Sequence, residues 1–85
     1  MKTFHFFSDS AHGWLRVTMS DLRASGAYDK ISSYSYKSEK FVYLEEDCDA
    51  SEFLEGYRHL IGEFQIKQHP PVETSSIRYM HPFRR

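Results

Sequence analysis

The chain predicts an α+β fold: a mainly antiparallel sheet of four to five strands with two helices packed on one face, in the order β-β-α-β-β-α-β. Three observations carry this. Several short segments alternate apolar and polar residues, as half-buried strands do. Two stretches open on capping residues and close on a glycine, the punctuation of helices. The second of these carries Phe53, Leu54, Tyr57, Leu60, Ile61 and Phe64 at three- and four-residue spacing. Such a stripe must be buried against another layer.

The elements follow in order. Residues 2–7 (KTFHFF) read as a strand and residues 8–13 (SDSAHG) as a turn. Residues 14–17 (WLRV) read as a second strand. Thr18 and Asp21 then stand in capping-box positions, with Val17 and Leu22 placed as a hydrophobic staple. Gly26 supplies the stop, so a short helix is expected over 19–25. Residues 31–37 (ISSYSYK) alternate, with Tyr34 and Tyr36 on one face and Ser33 and Ser35 on the other. With residues 38–40 as the connection, this segment should pair antiparallel with 41–46 (FVYLEE).

Asp49-Ala50-Ser51-Glu52 resembles an acidic capping box that opens the second helix, and Gly62 closes it. Residues 63–68 (EFQIKQ) alternate as another strand, ended by His69-Pro70-Pro71 because proline cannot donate to a ladder. The expected organisation is one domain over 1–69. Residues 70–85 follow as a C-terminal edge strand or arm, with 77–83 the segment able to pair.

The chain has 85 residues, which fits one domain. A single cysteine makes no internal disulfide and favours a reducing, cytoplasmic setting. No window approaches the ~20 apolar residues of a membrane span, and MKTFHFFSDS lacks the form of a signal peptide. Seven Phe, six Tyr and one Trp make 16% of the chain aromatic, more than a small core should need. Tyr28, Tyr34, Tyr36, Tyr57 and Tyr79 are therefore expected in part at the surface, where tyrosine anchors protein contacts. Self-association as a homodimer would use the same surplus.

The formal net charge of −1 hides an uneven distribution. Residues 1–40 sum to +2, residues 41–69 to −5 and residues 70–85 to +2. The acidic centre is Glu45, Glu46, Asp47 and Asp49, followed by Glu52 and Glu55. Carboxylates there also serve a plain structural role, since they meet the positive end of a helix dipole. A calcium loop would need alternating oxygen ligands and a central glycine, which 44–50 lack. Cys48, surrounded by carboxylates, is expected as a small buried hydrophobe rather than a nucleophile. The five histidines fall into no zinc pattern, and no nucleophile elbow or phosphate-binding glycine loop is present. The reading is of no enzyme, no cofactor and no metal.

Tyr34 and Tyr36, with Lys37, Lys40, Arg78, Arg84 and Arg85, give an alternative: an aromatic stacking platform for nucleic acid. Eleven Lys and Arg against twelve acids supply few phosphate contacts, so a protein partner is preferred.

The segments His12-Gly13-Trp14-Leu15, Ile31-Ser32-Ser33-Tyr34-Ser35-Tyr36 and Tyr43-Leu44-Glu45-Glu46-Asp47-Cys48-Asp49-Ala50 together resemble a family of small accessory proteins. These occur in phages, prophages and plasmids of Proteobacteria and carry no assigned activity. The resemblance spans about residues 1–55 and implies a mobile-element accessory role. The expected function is therefore a non-catalytic protein that binds a host protein or complex, as an anti-defence inhibitor of anti-CRISPR or anti-restriction type would. Its surface would comprise Glu45, Glu46, Asp47, Glu52, Glu55, Tyr34, Tyr36 and Tyr57.

Overall fold

The computed structural model describes residues 1–73 and 75–84. The fold is α+β, a six-stranded mixed sheet with both helices on one face. The strands are β1 (Lys2–Ser8), β2 (Gly13–Thr18), β3 (Tyr36–Lys37), β4 (Phe41–Glu45), β5 (Phe64–Gln68) and β6 (His81–Pro82). The helices are α1 (Met19–Ala24) and α2 (Asp49–Leu60), with 3₁₀ turns at Tyr28–Lys30 and Ser76–Tyr79. The sheet order is β5-β1-β2-β4-β3-β6.

Four of the five strand pairings are antiparallel, and β1 with β5 is parallel. The parallel pair has a geometric cause. β4 runs in the same direction as β1, because each is antiparallel to β2. The twelve residues of α2 rise about 18 Å, close to the ~17 Å length of five-residue β4. The helix therefore returns the chain to its starting end, and β5 enters parallel, as in any helical crossover.

Alternation divides the sheet into two faces. Phe4, Leu15, Val17, Val42 and Leu44 point to the helix side, where they pack with Leu22, Phe53 and Tyr57. Phe4 meets the rings of Phe53 and Tyr57 edge-on at 5.0 and 5.1 Å. The α1 cap forms as its sequence predicts: Thr18 Oγ1 accepts the Asp21 N–H at 3.0 Å, and Val17 and Leu22 are both buried. The two helices meet closely at Gly56, where an added Cβ would lie 2.2 Å from the Ser25 carbonyl oxygen. Only glycine admits that approach.

Four expectations are corrected. The strand over 31–37 shrinks to Tyr36–Lys37, because Ser32 and Ser35 bond to side chains instead of to a ladder. Asp49 does not cap α2. Cys48 is the N-cap residue, without a side-chain bond, and the Asp49 carboxylate turns inward. The apolar stripe of α2 ends early, since Leu60 and Ile61 are exposed at 61% and 49%. The strand count rises to six because the tail contributes β6, paired antiparallel with β3.

Candidate functional site

The outward face of the sheet carries Phe7, Trp14, Arg16, Tyr36, Phe41, Tyr43 and Glu45. The register aligns Trp14 with Glu45, Arg16 with Tyr43, and Tyr36 with Tyr43. A second apolar cluster forms there from Trp14, Tyr43 and Ile77, with Phe7, Tyr36, Phe41 and Met80 against it. The Arg16 guanidinium lies over Phe7 and Phe41, at 5.1 and 4.6 Å from their centroids. Ile77 and Met80 come from the C-terminal segment, which straps across this face and covers Trp14 and Tyr43.

Asp9 fastens the strap. Its Oδ1 accepts the Ala11 and His12 N–H groups at 3.0 Å, which makes the turn expected over 8–13 an Asx turn. Its Oδ2 accepts the Ser75 N–H at 3.1 Å, and the Arg78 guanidinium grips both oxygens. Arg78, aided by the backbone N–H donors and opposed by burial, holds this carboxyl far below the usual carboxylate range. The Ser8 carbonyl accepts the Val72 N–H at 3.1 Å, adding a backbone tie.

Beside the strap lies an open cleft of about 500 Å³. Trp14, Tyr34, Tyr36, Glu45, Asp47, Cys48, His12 and Arg78 line it. Trp14 is 2% exposed, and its indole N–H is the one buried side-chain polar group without a hydrogen-bond partner among the described residues. Tyr34 is 73% exposed. The Glu45 carboxylate accepts the Asp47 and Cys48 N–H groups at 3.1 and 3.2 Å and the Cys48 S–H at 3.1 Å. Burial works against its ionisation, but these donors and nearby His12 prevail and keep its pKa below the ordinary value. The same bond from Cys48 to Glu45, with burial and the charges of Asp49 and Glu45, pushes the Cys48 thiol up. Cys48 and His12 thus share a cleft, yet the thiol is held protonated, opposite to an activated nucleophile.

Ser35 joins the segments that carry the cleft. It is fully buried, its hydroxyl donates to Asp49 Oδ2 at 2.5 Å and accepts the Glu45 N–H at 2.9 Å. Asp49 Oδ2 also takes the Ser32 N–H and hydroxyl at 3.1 and 2.7 Å. The Ser35 carbonyl accepts the Phe83 N–H at 2.7 Å, which draws in the tail and buries Phe83. One serine therefore ties together the Tyr34 loop, β4, the start of α2 and the C-terminal segment.

Of the eight residues expected to form a partner surface, the fold gathers Tyr34, Tyr36, Glu45 and Asp47 at this cleft. Glu46 faces a separate groove with Phe6 and Leu15, and Glu52 and Glu55 lie on another with Lys30. Tyr57 is 5% exposed and belongs to the core, a correction that follows from its place on the buried stripe of α2. Cys48 is exposed rather than buried, because it precedes the helix and its thiol turns to Glu45.

The basic residues of the nucleic-acid alternative do not converge. Arg78 is committed to Asp9, Lys37 and Arg84 share a groove with Glu39, and Lys40 is exposed. Arg85 lies outside the described residues. Sequence reasoning missed Arg78 as a strap anchor and Ser35 as a hub, and no local signal marks contacts 69 and 14 residues apart.

Among the described residues no three His, Cys, Asp or Glu side chains are placed so that they could hold a metal ion together, and no helix is long and apolar enough to cross a membrane. No protein-family model, curated protein or solved structure matches the chain.

Proposed function

We propose that the chain acts stoichiometrically, without catalysis, by binding a protein or protein complex of a bacterial host through the surface around Tyr34, Tyr36, Glu45 and Asp47. The observation that supports it most is the setting of Tyr34. A large amphipathic side chain stands open to solvent at the mouth of a cleft bearing two carboxylates. Tyrosine beside a preformed concavity is the composition of protein-contact hot spots. The resemblance to phage and plasmid accessory proteins extends the proposal to an anti-defence inhibitor, for which an acidic surface would occupy a basic nucleic-acid channel.

The test is affinity capture from nuclease-treated bacterial lysate. The parent chain is compared with a variant carrying Tyr34→Ala and Asp47→Lys, both at exposed residues of this surface, which spares the structural carboxylates of Glu45 and Asp49. Loss of the captured protein by this folded variant is expected. Capture undiminished in this variant, or recovery of nucleic acid alone without nuclease, would overturn the proposal.

A further inference from the structure

The cleft beside the strap combines three features: aromatic walls, an uncompensated negative charge and a buried donor left unused. Tyr34 and Tyr36 supply the open walls, while Trp14, 2% exposed and under the Arg78 guanidinium at 5.9 Å, forms the floor, edge-to-face with Tyr36 at 6.3 Å. The charge balance follows from the bonds. Arg78 is the cleft's one Lys or Arg side chain among the described residues, and Asp9 neutralises it. Glu45 and Asp47 then remain as two carboxylates with no cationic partner in the cleft apart from His12. Glu45 binds backbone and thiol hydrogens through its two oxygens, which fixes its position while leaving its charge in place.

This is a setting for a cation. Aromatic faces attract cations through their quadrupole, and carboxylates at the same cleft add charge complementarity. Between the two natural cations, guanidinium fits better than ammonium. It is planar, stacks on aromatic rings, is weakly hydrated and spreads its donors over a fork that can meet separate carboxylates. An arginine within a peptide also brings carbonyl oxygens. The buried Trp14 N–H lacks such an acceptor, and a buried donor left unmade is costly.

We propose that the cleft lined by Trp14, Tyr34, Tyr36, Glu45 and Asp47 receives an arginine side chain presented by the partner protein. This rests on the reading of the chain as a protein binder and names the chemistry that the partner must show. Tyr34, exposed and free of ring contacts among the described residues, closes over the guanidinium, and Asp47 and Glu45 neutralise it.

The chain holds a single tryptophan, so Trp14 fluorescence reports on this cleft directly. The probes are three capped tripeptides, glycine-arginine-glycine, glycine-lysine-glycine and glycine-citrulline-glycine. Citrulline keeps the shape of arginine without its charge. A saturable change is expected with the arginine peptide, weakened at least about threefold for lysine and about tenfold or more for citrulline. Tyr34→Ala and Asp47→Asn, both at exposed positions, are each expected to weaken arginine binding by roughly fivefold. Equal responses to arginine and citrulline, or unchanged binding by both variants, would overturn the proposal.

The same two variants are then used in lysate capture. A partner retained by both Tyr34→Ala and Asp47→Asn but lost by the combined Tyr34→Ala, Asp47→Lys variant would refute the arginine cleft while leaving protein binding intact. A failure to capture any partner, with selective arginine-peptide binding preserved, would remove the wider reading and leave the cleft.

Discussion

Replacing Ser35 by alanine tests the architecture of the site. The hydroxyl of Ser35 makes two bonds inside the protein, donating to Asp49 and accepting from the Glu45 N–H. The first is charge-assisted and contributes about 1.5–3 kcal/mol. The second leaves a partly buried N–H without its acceptor when removed, at a cost near 1 kcal/mol. Asp49 keeps its two bonds from Ser32, so its carboxylate is not abandoned. The expected loss is therefore about 3 kcal/mol. A domain of this length holds roughly 4–13 kcal/mol in total. For 60–100 residues each kcal/mol moves Tm by about 4–8 °C, so Ser35→Ala should lower Tm by about 12–24 °C.

Ser33 is the control. It is exposed and makes no side-chain hydrogen bond among the described residues, so Ser33→Ala should change stability by less than about 0.5 kcal/mol. Thermal melts followed by far-ultraviolet circular dichroism, repeated as urea titrations, provide the measurement. If the two alanine variants melt together, the hub role of Ser35 is refuted, and with it the account of how the Tyr34 loop is held beside Glu45.

Two further outcomes follow from the titrating groups. His5 shares a hydrogen bond with His69 at 2.9 Å, and burial, then Arg16, His69 and Lys67, lower its pKa from the usual 6.5. Its protonation favours the unfolded chain, so its contribution is fully present above that value and is lost as pH falls below it. The urea midpoint should drop between neutral and mildly acidic pH by more in the parent than in His5→Asn, and equal drops would contradict this. Cys48 should react with a disulfide reagent more slowly at neutral pH than a free thiol does, since Glu45 holds its proton. Glu45→Gln should speed that reaction, and an unchanged rate would show that the bond does not govern the thiol.

Much of the fold was legible in the chain because the relevant forces are local. Thr18, Asp21, Val17 and Leu22 specify the start of α1 within six residues, and the stripe of α2 specifies its buried face. The alternation in β4 sets which residues face the helices whatever its neighbours are. Where the reading differed, a distant partner had displaced a local preference. Asp49 has the form of a cap, yet Ser32 and Ser35 offer its carboxylate three hydrogen bonds, more than a cap position supplies. The same serines gave up their strand for that exchange.

The site divides along the same line. Surplus tyrosine and a run of acids were visible as composition, and four of the eight expected surface residues do meet at one cleft. Which four depended on where the backbone turns. Tyr57 shares its helix stripe with Phe53 and enters the core, while Tyr34 rides a loop pinned from below and stays in solvent.

The sequence by itself determined an α+β domain with helices on one face, since period and capping act over a few residues. Only the tertiary structure decided that Asp9 would spend its charge on Arg78, 69 residues away. It also decided that Glu45 and Asp47 would keep theirs beside Trp14 and Tyr34. A net charge says nothing of pairing, because pairing depends on distance in space, and folding alone sets that distance.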